Sequence, residues 1–113
     1  MKTLFILNDA PYGTERSYNA LRLARALSKE PDQTVRMFLL GDAVVCAKSG
    51  QKVPAGYYNA ADMVGMLGGE VALCSACMDA RGLADDELVP GARRGTLKEL
   101  AEWTADADKV LVF

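Results

Sequence analysis

Short apolar runs alternate with helix-patterned segments along this chain, and that alternation narrows its fold more than any other feature. Thr3 to Leu7 is a continuous apolar run that stops at polar Asn8-Asp9. A run that is apolar at every position reads as a strand buried on both faces of a parallel sheet. Asp9-Ala10-Pro11-Tyr12-Gly13 is turn-rich. Thr14 is placed to cap a helix to about Lys29, with a stripe of Tyr18, Leu21, Ala24 and Leu27 or Ser28, ended by Pro31.

The alternation continues. Thr34 to Leu40 predicts a second strand, and Gly41-Asp42 opens a short helix through about Lys48. Ser49 to Tyr58 reads as a long loop, the kind that serves as a lid or binding element. Asn59 is placed to cap a helix carrying Met63, Val64, Met66 and Leu67, ended by Gly68-Gly69. Val71 to Leu73 predicts a third strand, with Cys74 at its end. Leu88 to Ala92 predicts a short fourth strand, weakened by Pro90 and Gly91. Thr96-Leu97-Lys98-Glu99 has capping-box spacing, opening a helix to about Asp106 with a stripe of Leu97, Leu100, Ala101 and Thr104 or Trp103. Lys109 to Phe113 predicts a final strand.

The expected architecture is therefore α/β: one three-layer α/β/α domain over residues 1–113, with a mainly parallel sheet of about five strands. Ligands of such sheets bind beyond the carboxyl ends of the strands. The loops Asp9–Gly13, Gly41–Asp42 and Cys74–Gly82 all follow strands and should gather at one edge. That edge supplies the pocket-lining candidates Asn8, Asp9, Pro11, Tyr12, Gly13, Asp42 and Tyr57.

A net charge of −2 argues against a nucleic-acid module, and Arg93-Arg94 is too short to be a basic patch. The apolar start breaks at Asn8-Asp9, too soon for a signal-peptide core or a membrane span. The expected setting is the cytoplasm, with no membrane partner. There three cysteines should be mostly reduced, and an odd count suits a disulfide scaffold poorly.

The densest chemistry lies in Leu73-Cys74-Ser75-Ala76-Cys77-Met78-Asp79-Ala80-Arg81-Gly82. Four roles suit its two thiols. Half a zinc site needs four ligands, and the chain has three cysteines and no histidine. A thioredoxin-type dithiol usually follows the first strand, whereas this pair follows the third. Free cysteines are often simply core. The fourth role is a nucleophilic or sulfur-carrying cysteine, its thiolate favoured by a nearby cation such as Arg81. A lone arginine near a helix end, as Arg81 is, is more often simply a solvated charge. Cys46, in Val44-Val45-Cys46-Ala47, is better explained by packing. Tyr12, Tyr57 and Tyr58 either cover a site or pack against one another. Asp9 to Thr14 lacks the glycines and lysine of a phosphate loop. No metal and no cofactor are expected.

Residues along the whole length resemble the DsrE/DsrF-like sulfur-relay family, most of all its YchN-like branch. The resemblance rests on Asn8 to Gly13, Ser17 to Ala24, Phe38 to Val44, Gly50-Gln51-Lys52, Gly56 to Asn59, Cys74 to Gly82, Gly95 to Leu97 and Ala107 to Val110. It implies trimers, commonly paired into hexamers. In the relay members one cysteine carries a persulfide, eight residues before the glycine of an Arg-Gly pair. Cys74 has that spacing to Gly82, so the carry-over lands on Cys74, with Cys77, Asp79, Arg81 and Gly82 as supporting residues. Cys77 departs from the relay carriers.

The resulting expectation is a cytoplasmic, homo-oligomeric persulfide carrier or sulfurtransferase-like protein, served by sulfur donor and acceptor proteins. The alternative is a non-enzymatic oligomeric scaffold or small-ligand sensor with inert thiols, or a CxxC redox protein.

Overall fold

In the computed structural model, which describes residues 1–113, strands and helices alternate from end to end. The order is β1 (Lys2–Leu7), α1 (Arg16–Leu27), β2 (Thr34–Leu39), a 3₁₀ segment (Gly41–Ala47), α2 (Ala60–Gly65), β3 (Glu70–Cys74), α3 (Ser75–Ala80), a second 3₁₀ turn (Asp85–Glu87), β4 (Ala92–Gly95), α4 (Leu97–Asp106) and β5 (Lys109–Val112). The strands lie side by side as β4-β3-β2-β1-β5, and every pair is parallel.

Strand side chains alternate between faces, and the core divides accordingly. Phe5, Leu7, Met37, Leu39, Val71 and Leu73 point into a large cluster with Leu21 and Ala24 of α1, Val64 of α2, Val44 and Cys46 of the first 3₁₀ segment, and Met78 of α3. Leu4, Phe38 and Ala72 point the other way, against Leu100 and Trp103 of α4 alone. Fully burying one such large side chain contributes about 1.5–3 kcal/mol. The three layers are therefore unequal: one sheet face is covered by most of the helical segments, the other by a single helix. No helix is long and apolar enough to cross a membrane.

The α/β expectation with five parallel strands holds, and several boundaries move for identifiable reasons. The fourth strand is Ala92–Gly95, not Leu88–Ala92. Pro90 has no N–H to give a ladder, and Gly91 turns the chain with φ +91°. Leu88 forms only an isolated antiparallel bridge to Lys48. Thr14 does not cap α1: the N-cap is Glu15, without a side-chain bond, and the Thr14 hydroxyl donates to Asp9 at 3.2 Å. Helix α1 also ends at Leu27, before Pro31 is reached. The segment after Gly41 is helical but 3₁₀. Asn59 does cap α2, its side chain accepting from Asp62 N–H at 3.1 Å, yet α2 stops at Gly65, ahead of Gly68-Gly69. Gly69 serves close approach instead, since a Cβ there would run into the carbonyl of Val35. Half the capping box forms: Thr96 accepts from Glu99 N–H at 3.2 Å, while the Glu99 carboxylate turns to Arg93. Leu97 is exposed rather than part of the α4 stripe. The chain closes on β5, which is an edge strand.

Candidate functional site

The apolar run of β3 ends at Cys74, and the chain turns there directly into α3. Cys74 is the N-cap of that helix, and its Sγ accepts the N–H of Cys77 at 3.3 Å. The thiol thus takes the place that a serine or aspartate oxygen usually fills at a helix start. Cys74 is half-buried and packs against the Leu4–Phe38–Trp103 cluster, whereas Cys77 packs against the larger one. The start of α3 therefore borders both core clusters, one at each of its two thiols.

The environment does not lower the Cys74 pKa. Burial pushes the thiol above its ordinary range, and the Cys77 thiol beside it adds to that push. The backbone N–H groups of Cys77 and Ala76 act in the opposite direction without prevailing. Arg81, expected to favour the thiolate, gives its donors elsewhere. Its Nε and Nη2 donate to Asp42 at 3.0 and 2.9 Å, and its Nη1 donates to the Cys77 carbonyl at 3.1 Å. It positions the turn rather than polarising the sulfur. Gly82 ends the turn with φ +64°, a left-handed conformation suited to glycine.

Asp79 and Ser75 are held by a residue that the sequence did not single out. Arg94 Nη1 donates to the Ser75 hydroxyl at 2.7 Å, the Ser75 carbonyl at 3.1 Å and Asp79 at 3.0 Å; its Nε donates to Asp85 at 2.7 Å. Its neighbour Gly95 pairs with Cys74 across the β3–β4 ladder. A Cβ on Gly95 would sit 3.1 Å from the Ala72 Cβ and 3.3 Å from the Phe38 ring. The backbone beside the thiol is kept close by the absence of a side chain. Only the Arg93-Arg94-Gly95 spelling after a turn hinted at this, and no apolar period marked it as a strand.

The carboxyl-edge loops do gather: a Cβ at Gly41 would lie 3.7 Å from the Asn8 carbonyl and 4.0 Å from Arg81 Nη2. Asn8 ties the end of β1 to the chain terminus, its Nδ2 donating to the Phe113 carbonyl at 3.2 Å. The Asp9 carbonyl accepts from Ser17 at 2.7 Å and from Cys46 at 3.9 Å. Cys46 is fully buried, and burial pushes its thiol up to about 12.

Of the remaining pocket-lining candidates, Gly13 and Tyr57 lie in a separate place, which Pro11 and Tyr12 do not line. Gly13, Thr14, Glu15, Tyr57 and Tyr58 line an open cleft of about 500 Å³ that does not include Cys74. Tyr58 stacks on Tyr57 and Tyr18 with centroids 4.7 and 4.2 Å apart, and its hydroxyl donates to the Pro11 carbonyl at 2.9 Å. Tyr12 donates to Gln51 at 2.6 Å. The Gln51 amide in turn donates to three carbonyls of the first 3₁₀ segment and its end, those of Val45, Cys46 and Lys48. Sequence reasoning gave Gln51 no role, yet it moors the long loop. A second cavity, of about 440 Å³, lies at the amino-terminal edge around Gln33, Arg36 and Glu70, away from every cysteine. No group of three or more His, Cys, Asp or Glu side chains converges to hold a metal ion.

Comparison with known proteins matches the DsrE/DsrF-like family over residues 1–113. Protein YchN of Escherichia coli is 45% identical over 116 aligned positions, covering 99% of this chain and 98% of YchN. Its crystal structure superposes with a TM-score of 0.92 at 44% identity, covering 99% of this chain and 98% of that one. Protein MJ0989 of Methanocaldococcus jannaschii is 37% identical over the full length of both chains. MTH1491 of Methanobacterium thermoautotrophicum, at 12% identity and a TM-score of 0.77 over 99% of this chain and 98% of that one, shares the fold. With whole-length matches in both sequence and structure, the chain belongs to the DsrE/DsrF-like family.

Proposed function

We propose that this protein relays sulfur, with Cys74 as the residue that carries it. The supporting observation is the placement of Cys74: at the carboxyl end of β3, at the N-cap of α3, half-buried, and accepting a backbone N–H. Membership of a family associated with sulfur relay supports the same reading. A donor persulfide would approach the carboxyl edge. The Cys74 thiolate would attack its outer sulfur, the donor thiolate would leave, and Cys74–S–SH would remain. An acceptor thiolate would then take the outer sulfur by the same displacement.

The raised thiol fits a slow, guarded carrier. Fewer thiolates exist at neutral pH, but a thiolate of higher pKa is intrinsically more nucleophilic once formed. The N–H of Cys77 would continue to solvate the sulfur through the exchange. Sulfur donor and acceptor proteins, in the cytoplasm, are the partners of this reading, and homotrimers or hexamers are its working form.

Incubation with a small organic persulfide, read by intact-protein mass spectrometry, tests it. The protein should gain sulfur at Cys74, and Cys74→Ser should gain none while remaining folded. Serine keeps the size of the side chain but supplies no soft sulfur nucleophile. A Cys74 that takes no sulfur and resists alkylation in the folded protein would leave a scaffold with inert thiols.

A further inference from the structure

The relay chemistry just proposed needs one cysteine, and the turn holds two. Cys77 stands at the third position of α3, and its N–H lies 3.3 Å from the Cys74 sulfur. That hydrogen bond sets the Cys77 backbone against the Cys74 sulfur, and the Cys77 Sγ hangs from that backbone by a single rotatable bond, χ1. The Cys77 thiol also lies close enough to help push the Cys74 thiol above its ordinary range. Both residues are half-buried and both are free thiols, whereas Cys46 is sealed in the core.

The turn is held at both ends. Arg94 grips the Ser75 carbonyl and hydroxyl, and Arg81 grips the Cys77 carbonyl. Neither thiol has an acidic or basic side chain as its hydrogen-bond partner; the Cys74 sulfur takes the Cys77 N–H. A carrier that only passes sulfur to an external acceptor has no use for a second thiol at this distance. Such a thiol competes with the acceptor.

We infer that Cys77 resolves the Cys74 persulfide, so that sulfur not taken by an acceptor leaves as hydrosulfide while Cys74 and Cys77 join in a disulfide. The inference rests on the sulfur-carrying reading of Cys74. The Cys77 thiol loses its proton to water, and the thiolate attacks the inner sulfur, Cys74 Sγ. The Cys74–Cys77 bond forms, the bond to the outer sulfur breaks, and that sulfur departs with the bonding pair as HS⁻. The outer sulfur is reduced by two electrons, and the two cysteine sulfurs supply them. Two equivalents of a small thiol then restore the dithiol by exchange and are themselves oxidised to a disulfide. The net activity is thiol-dependent reduction of a persulfide to hydrosulfide.

The reduced full-length protein, treated with glutathione persulfide and freed of excess thiol, decides the matter. Two quantities are read: hydrosulfide released, and intact mass with peptide mapping. The wild type should release one hydrosulfide per chain and lose two hydrogens, mapped to a Cys74–Cys77 disulfide. Cys77→Ser should keep the added sulfur on Cys74, with hydrosulfide release reduced to the level of the buffer control. Cys77→Ala serves as the second variant should the serine disturb α3. A wild type that retains its added sulfur as long as Cys77→Ser does, without hydrosulfide, overturns the inference and leaves the relay reading standing. If neither the wild type nor the Cys77 variants take up sulfur, the relay reading fails and this inference fails with it. A parallel oxidation with diamide, which needs no persulfide, tests the pair alone: no Cys74–Cys77 disulfide there also overturns the inference.

Discussion

Arg81 holds Asp42 through two N–H groups, Nε at 3.0 Å and Nη2 at 2.9 Å on the same carboxylate oxygen. The pair joins the segment after β2 to the end of α3, across the carboxyl edge of the sheet. Its value is positional, because the remaining donor, Nη1, goes to the Cys77 carbonyl and none goes to the Cys74 sulfur.

Arg81→Ala should therefore lower stability by about 1 kcal/mol or less, the range of partly exposed ion pairs. It should leave the pH midpoint of Cys74 alkylation where it stands in the wild type. Alkylation rates at several pH values check this. A midpoint that climbs in the variant would show the guanidinium acting on the sulfur after all.

Cys74 should alkylate with a midpoint above that of a free cysteine, since burial and the neighbouring Cys77 thiol both push it up. Cys77→Ala removes the second cause and should move the midpoint down. Iodoacetamide rates against pH, with peptide mapping to separate the cysteines, give the comparison. A wild-type midpoint at or below that of free cysteine would contradict the burial argument.

Cys74 was legible because the sequence states its surroundings locally: Val71, Ala72 and Leu73 are continuously apolar, and the thiol follows at once. Asn59 and Thr96 were legible as caps for the same reason, each with its partner three residues on. Arg94 was not. The strand that carries it reads Ala92-Arg93-Arg94-Gly95, and only its ladder to Val71–Cys74 makes it a strand. That pairing joins residues some twenty positions apart and leaves no periodic trace. Glu99 shows the opposite failure. Its spacing from Thr96 promised a reciprocal cap, but a bidentate Arg93 at 2.8 and 2.6 Å outcompetes one backbone N–H. The tyrosine cleft and the cysteine turn were both expected at the carboxyl edge, and their separation there is a matter of tertiary placement.

Arg94 makes four bonds to three residues around α3, so Arg94→Ala should loosen the first turn of that helix. Amide hydrogen exchange over residues 75–80 should quicken, and Cys74 should alkylate faster at every pH with its midpoint unmoved. Unchanged exchange would mean that α3 is held by packing of Met78 alone.

The Arg93 guanidinium beside Glu99 holds that carboxyl below the usual range. A depressed carboxyl contributes stability above its unfolded pKa, and the contribution is lost as pH falls through the folded value. The wild type should lose more stability than Glu99→Gln on acidification from neutral pH to below the ordinary glutamate range. Urea midpoints at the two pH values measure it, and equal losses would show the pair to be inert.

Cys46 gives the alkaline counterpart. Its folded pKa of about 12 exceeds the ordinary value of 9.0. A raised thiol contributes stability that is whole below the unfolded value and lost as pH climbs through the folded one. Cys46→Ala should lower stability at neutral pH by about 1 kcal/mol. The gap to the wild type should narrow between pH 9.0 and about 12. Sulfur loading at Cys74 should be untouched; its loss with the fold intact would mark Cys46 as the carrier.

The face that carries Cys74 is the thinly covered one. Parallel pairing sets Val110 beside Leu4 and Val112 beside Ile6, so both valines share that face with the α4 cluster. Helix α4 does not reach over them: Val112 is 65% exposed, and Leu97 at the start of α4 is 68% exposed. Exposed apolar side chains on the open side of a sheet favour burial against a partner. A second copy of this chain is the expected partner, as resemblance to a ring-forming family implies. Light scattering at micromolar concentration should give a mass of three or six chains. Val112→Glu places a charge in that contact and should shift the population to smaller species while the circular dichroism of the fold is retained. A wild-type monomer at that concentration would reject the assembly. An oligomer indifferent to Val112→Glu would place the contact elsewhere on the molecule.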